Sequence, residues 1–223
     1  MKLLALDTAT EACSAALLLD GKIGERYEVI GRGHADRLLP MADELLRAAG
    51  VAVQQLDAIA FGRGPGGFTG LRIAAAVAQG LAAGAGLPVV PVSDLAALAL
   101  AGARASGSRH ILACMDARMG QVYWAACRVT GGDAVASGPE TLSAPVAVTP
   151  PAGEAWFGAG HGFAAWPGLA AMLGGALTGV DATLLPRAAD VARLAARALQ
   201  SGTALPAARA QPVYLRDQVV HRR

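Results

Sequence analysis

Leu3-Leu-Ala-Leu6, Asp7-Thr-Ala-Thr-Glu11, Cys13-Ser-Ala-Ala-Leu-Leu-Leu19 and Asp20-Gly21 follow one another at the head of this 223-residue chain. Two short apolar runs divided by a polar turn read as strands. Asp20-Gly21 is a hairpin signal, and Lys22 to Ile30 continues as a third strand. His34 to Ala49 then reads as a helix with Leu38, Leu39, Met41, Leu45 and Leu46 on an apolar face and Gly50 as its stop. Leu56 to Phe61 and Pro88 to Val92 are further strands, with helices expected over Leu71 to Gly84 and Ser93 to Ala103. Three strands in hairpin succession followed by alternating helix and strand make one αβ unit of about a hundred residues.

The pattern restarts at His110. His110 to Met115 is an apolar strand ending in Asp116, a polar turn Ala117-Arg-Met-Gly120 follows, and Gln121 to Arg128 is the next strand. Asp116 stands to this unit as Asp7 stands to the first, a repeat of structure with little repeat of residues. The expected division is therefore 1–105 and 106–223. Thr130 to Gly153 reads as loops with one or two edge strands. Phe163 to Leu173 and Pro186 to Leu199 read as helices, with Pro186 in the first turn of the latter. Gln211 to Arg216 is a short extended piece, expected to pack back on the first unit.

Composition narrows the function classes. The chain is 54% hydrophobic but only 4% aromatic, because alanine carries the apolar count, and this predicts close helix-on-sheet packing. Nineteen basic against 17 acidic residues leave a formal charge of +2 with no basic stripe, beyond a short Arg222-Arg223 tail. Such a chain does not read as a nucleic-acid binder on its own. Three widely spaced cysteines, Cys13, Cys114 and Cys127, fit a reducing cytoplasm rather than a disulfide framework or zinc knuckle. Asp7 ends the first apolar run too early for a signal peptide. The uncharged stretch Ile73 to Ser93 is long enough to span a bilayer, but its Gly and Pro breakers favour helix-loop-strand. His34, His110, His161 and His221 have no ligand spacing, so no metal is expected.

Gly62-Arg-Gly-Pro-Gly-Gly-Phe-Thr-Gly70 is the most distinctive turn. A Gly-rich strand-to-helix loop can cradle phosphate, yet a P-loop needs Lys-Ser/Thr where Gly70-Leu71-Arg72 stands. A dinucleotide fingerprint needs an acidic residue about twenty positions later, and none lies between Gly70 and Ser93. A tight turn with Thr69 as helix cap is the better reading. In the helix that follows, Leu71, Ile73, Val77 and Leu81 are apolar, the remaining positions are mostly Ala and Gly, and Arg72 is the single charged residue. A helix lying on the outside of a sheet should show one polar face, so this one is expected to be covered by another polypeptide, together with the His34 to Ala49 helix. The interface candidates are His34, Leu38, Met41, Leu45, Leu71, Arg72, Ala75, Ala78 and Gln79. Asp7, Thr8 and Thr10 are weak candidates for phosphate or magnesium, in a turn whose composition is that of an ordinary turn. Asp116-Ala-Arg118 is either a salt-bridged turn or a site facing a cleft, and the residues alone do not separate the two.

Leu4-Ala-Leu-Asp-Thr-Ala-Thr10, Gly64-Pro-Gly-Gly-Phe-Thr-Gly-Leu-Arg-Ile73, Asp116-Ala-Arg118 with Val122-Tyr123, and Pro212-Val-Tyr-Leu-Arg216 together resemble the TsaB (YeaZ) family. That family is the dimerization subunit of the bacterial machinery for tRNA threonylcarbamoyladenosine. Gln121 stands where the family usually has Glu. The resemblance implies an actin/Hsp70-like fold (ASKHA, ribonuclease-H-like, α/β) of two related lobes with mixed sheets. It also implies pairing with the catalytic paralog TsaD, with the ATPase TsaE joining, and contact with tRNA only through the complex. TsaD carries a His-x-x-x-His metal motif, and Asp94 and Leu98 fall at those positions here, so neither a catalytic first shell nor a cofactor is expected. Gly158-Ala-Gly160 is at most the remnant of a second phosphate loop. A homodimer of the free chain is expected through the same helices. The competing reading is a stand-alone ATPase or phosphotransferase of the same fold using Asp7.

Overall fold

The computed structural model of the chain describes residues 1–216; His221, Arg222 and Arg223 of the sequence reading lie outside the described residues. Its first sheet is built from β1 (Lys2–Asp7), β2 (Ala12–Leu19), β3 (Lys22–Val29), β4 (Ala58–Gly64) and β5 (Val89–Ser93), in the order β3-β2-β1-β4-β5. β1, β2 and β3 form an antiparallel meander, and β4 and β5 add in parallel on the other side of β1. The second sheet repeats this plan. β6 (His110–Asp116), β7 (Val122–Thr130) and β8 (Asp133–Ala136) form the meander, and β10 (Trp156–Ala159) and β11 (Leu177–Asp181) add in parallel beside β6. β9 (Thr141–Ser143) pairs with the far end of β7.

Why the first strands read as unbroken apolar runs follows from their position. Leu3, Ala5, Ala16 and Leu18 face one core and Leu4, Leu6, Cys13, Ala15 and Leu17 face another, so both faces of the sheet are covered. On one face lie α1 (His34–Ala49) and α2 (Phe68–Ala85). On the other lie α3 (Asp94–Ser106) and α6 (Ala188–Gln200), and their opposite sides meet Ile111, Ala113, Tyr123, Ala125 and Cys127 of the second sheet. One core thus runs through both sheets. The outer face of the second sheet carries α4 (Gly162–Ala165) and α5 (Gly168–Leu173), whose Phe163 and Leu169 pack with Leu112, Val122 and Trp156.

Helix ends explain where the sequence reading slipped. α1 has the expected limits because Gly50 takes a left-handed conformation (φ 63°) and its N–H bonds the Arg47 carbonyl. α2 begins at Phe68, three residues before expected, so Thr69 lies inside the helix and is not its cap. Gly67 caps it, fixed by its own N–H to the Ala9 carbonyl at 2.7 Å. Pro186 falls before α6 rather than in its first turn. That helix starts at Ala188, whose N–H bonds Ser14 Oγ while that of Ala189 bonds Glu25 Oε1, so the first sheet supplies the missing acceptors. The helix expected over Phe163 to Leu173 breaks at Trp166-Pro167 into α4 and α5. β10 and β11, short and glycine-containing, were missed altogether.

Candidate functional site

The turn after β1 uses its polar groups on its own chain. Asp7 Oδ1 accepts the Ala9 N–H at 2.8 Å, Thr8 donates its hydroxyl to the Gly70 carbonyl at 2.7 Å, and Thr10 Oγ1 accepts the Ala12 N–H at 3.2 Å. Asp7 and Thr8 are buried. Gly70 is required by this approach, since a Cβ there would overlap the Thr8 carbonyl. Gly158 and Gly160, the other weak phosphate candidates, are also explained by packing. A Cβ at 158 would lie 2.7 Å from the Phe163 ring. Gly160 has φ 116°, and its N–H bonds the Asp181 carbonyl. Asp94 and Leu98 are both fully buried, Leu98 in the shared core. Among the described residues no cluster of three or more His, Cys, Asp or Glu is arranged to hold a metal.

A cavity of about 780 Å³ opens between the β1 turn and the Pro65–Leu71 segment on one side and Met115–Met119 and His161 on the other. Asp116 does both things the sequence left open. It accepts the Arg118 N–H and pairs with the Arg118 guanidinium at 3.2 Å, and the two also line the cavity. Arg118 and Met119 both adopt positive φ (61° and 53°). Burial lowers the His161 imidazole below its ordinary range, favouring the neutral ring. The tail then crosses the mouth. Val213 donates its N–H to the Arg63 carbonyl at 2.7 Å, Tyr214 stacks near Phe68 and accepts from Arg72, and Arg216 donates to the Ala117 carbonyl at 3.0 Å. The sequence marked this segment as a short extended piece; its bridging role depends on partners far away in the chain and left no local signal.

The outward surface of α1 and α2 differs from the one the sequence suggested. Leu38, Met41, Leu45, Ala75 and Ala78 are buried because they form the stripe that packs on the sheet, and His34 and Leu71 are buried where the helix starts line the cavity. None of these seven candidates lies on the outer surface, a correction that follows from reading an apolar helix without knowing which side met the sheet. Arg72 is exposed but sits 3.6 Å above the Phe68 ring, and Gln79 Nε2 donates to the Ala207 carbonyl. The exposed positions are Ala35, Asp36, Leu39, Pro40, Asp43, Arg47, Ala48 and Ala49 on α1 and Phe68, Thr69, Arg72, Ala76, Gly80, Ala83 and Gly84 on α2, so α1 turns charge outward while α2 beyond Arg72 does not, and Ile73, Val77 and Leu81 are half-buried. A Cβ at Gly80 or Gly84 would meet nothing within 4 Å. α2 is also the one helix among the described residues long and apolar enough to cross a membrane by composition, and here it lies on a sheet.

The family model described as "TsaD: tRNA N6-adenosine threonylcarbamoyltransferase" matches residues 26–220. The Escherichia coli (strain K12) tRNA threonylcarbamoyladenosine biosynthesis protein TsaB is 41% identical, over 98% of this chain and 96% of its own length. The chain belongs to the TsaB family. The Haemophilus influenzae TsaB is 52% identical over 56% of this chain and 52% of its own length. YeaZ from Pseudomonas aeruginosa superposes with a TM-score of 0.88 at 46% identity, covering 96% of this chain and 99% of that one. A crystal structure titled an uncharacterized protein with similarity to peptidase YeaZ, also from P. aeruginosa, reaches 0.90 at 48% identity over the same shares. With the repeated strand order of its two mixed sheets, this TsaB-family chain has the actin/Hsp70-like α/β fold, and TsaB proteins take part in tRNA threonylcarbamoyladenosine biosynthesis. The signals that carry membership, Gly64–Ile73 and Pro212–Arg216, are the segments that meet at the cavity.

Proposed function

We propose that this chain is a non-catalytic, cytoplasmic subunit of the tRNA threonylcarbamoyladenosine-forming assembly. It docks the catalytic paralog TsaD through the outer face of α1 and α2, the ATPase TsaE joins that complex, and tRNA is reached only through it. The observation that carries this reading is the outer face of α2. An exposed helix normally turns charge to solvent; this one exposes Ala76, Gly80, Ala83 and Gly84 beside Leu39 and Pro40. Glycine inside a helix costs about 1 kcal/mol against alanine, and at Gly80 and Gly84 no neighbour among the described residues accounts for it. A partner backbone in close approach does account for it. The free chain would pair with itself through the same face.

Internal use of Asp7, Thr8 and Thr10 weighs against the stand-alone ATPase reading, which the interlobe cavity keeps in play as the second possibility. Reconstitution of tRNA modification from purified TsaD, TsaE and tRNA, with and without this chain, tests the proposal. Product should require the chain. Equal product without it, or robust ATP turnover by the chain alone that Asp7→Ala abolishes, overturns the scaffold role.

A further inference from the structure

Asp7 and Asp94 come from different elements, the end of β1 and the start of α3, and both are buried to within 2% of complete. Each has one oxygen anchored by a backbone donor: Asp7 Oδ1 by the Ala9 N–H, Asp94 Oδ2 by the Gly64 N–H. The other two oxygens, Asp7 Oδ2 and Asp94 Oδ1, are sealed from solvent and have no donor among the described residues. The parallel register of β1 and β4, Leu6 beside Phe61, sets Asp7 next to Gly62, and Asp94 Oδ1 lies against that same glycine, so the two carboxyls are neighbours. The β4 backbone closes the pocket, since a Cβ at Gly62 would overlap Asp94 Oδ1. Two ionised carboxylates in this place would leave both orphan oxygens unsatisfied and in mutual repulsion. One proton between them satisfies both.

We propose that Asp7 and Asp94 share a single proton and act as a clamp that holds the Gly64–Gly70 turn, and with it the start of α2, against the β1 turn. This inference goes beyond the docking proposal and does not depend on it. The clamp stands beside two parallel ties, Gly67 N–H to the Ala9 carbonyl and the Thr8 hydroxyl to the Gly70 carbonyl. The charged groups facing the pair are Glu25 from β3, Asp190 from α6 and Arg63 from β4. Each already has a partner of its own: Arg187 for Glu25, Arg104 and Arg193 for Asp190, Glu140 for Arg63. Glu25 and Asp190 add like charge, and Arg63, the cation among the three, is already paired with Glu140.

Burial pushes Asp7 up to about 6, and burial together with the Asp7 charge pushes Asp94 well above the usual carboxylate range. Groups raised in the folded state stabilise it most at low pH, and that contribution is lost as pH climbs through their folded values. The pair therefore titrates in two steps as one unit, and stability declines on the alkaline side.

The test compares thermal midpoints of the full chain between about pH 5 and 9 for wild type, Asp94→Asn, Asp94→Ala and Asp7→Asn/Asp94→Asn. In Asp94→Asn the side-chain oxygen can accept the Gly64 N–H while the amide nitrogen donates to Asp7, reproducing the protonated arrangement. Asp94→Asn should match or exceed the wild-type midpoint at neutral pH and lose the alkaline decline. Asp94→Ala should fall by several °C, and so should the double variant, whose two amide groups offer each other donors with no acceptor. As a measurement independent of variant folding, infrared spectra of the wild type at about pH 7 should show a protonated-carboxyl C=O band that is absent in Asp94→Asn. An Asp94→Asn midpoint as low as that of Asp94→Ala, an unchanged alkaline decline in Asp94→Asn, or no protonated carboxyl in the wild type overturns the proposal. So does a wild-type midpoint lowered by EDTA, which would mean a cation in place of the proton.

Discussion

Ala76 and Ala78 lie two residues apart on α2 and should respond in opposite ways to the same substitution. Ala78 is fully buried in the cluster that includes Leu38, Ile59 and Phe61, whereas Ala76 is exposed. A glutamate at 78 places a carboxylate where no donor waits. Holding it neutral at pH 7 costs roughly 4 kcal/mol, because an ordinary Glu titrates nearly three units lower, and the added volume costs about 1–3 kcal/mol more. Against a total stability of about 5–15 kcal/mol, Ala78→Glu should unfold the chain or lower its thermal midpoint by roughly 10–30 °C, at about 2–4 °C per kcal/mol for this size. Ala76→Glu should move the midpoint by no more than about 2 °C, since surface substitutions stay within about 0.5 kcal/mol. The same variant should lose self-association in light scattering and capture of TsaD in co-purification. A stable Ala78→Glu chain would refute the assignment of the buried stripe. An Ala76→Glu chain that captures TsaD at wild-type yield would refute the docking face.

Gly80→Ala and Gly84→Ala should each raise the midpoint by roughly 2–4 °C, from about 1 kcal/mol of helix propensity, while weakening partner capture; stabilisation with undiminished capture would mean that no backbone comes close there. Asp190 is fully buried between Arg104 and Arg193, so Asp190→Ala should cost about 3–5 kcal/mol in urea unfolding, and a loss below about 1 kcal/mol would contradict that pairing. Burial pushes the Cys114 and Cys127 thiols up to about 12, so neither should react with iodoacetamide in the native chain near pH 8, and alkylation at the rate of a free thiol would show that these strands open.

Much of the fold was legible because strand and helix periods differ so clearly in the first half. β2 and α1 were read almost to the residue, since an uninterrupted apolar run bounded by Asp20-Gly21 and a helix stopped by Gly50 are local signals. β10 and β11 were not legible. Each is short and contains glycine, and each holds its place by pairing with strands remote in the chain. The candidate interface shows the same division. That α2 lacks charge is a property of the sequence. Which of its alanines face the sheet depends on Gly67 being tied to Ala9 and starting the helix a turn early. The Asp7–Asp94 pair was likewise invisible: each residue looked like a turn or helix-start aspartate until the fold buried them together.

The position of α6 bears on how the chain is made. This helix, residues 188–200, packs on β1, β2, β4 and β5, strands that leave the ribosome roughly a hundred residues or more earlier. During synthesis one face of the first sheet, with Leu3, Ala5, Ala16 and Leu18, has to wait for a cover encoded near the other end. The sheet translated first is completed last, and the nascent chain carries an open apolar surface through most of its elongation.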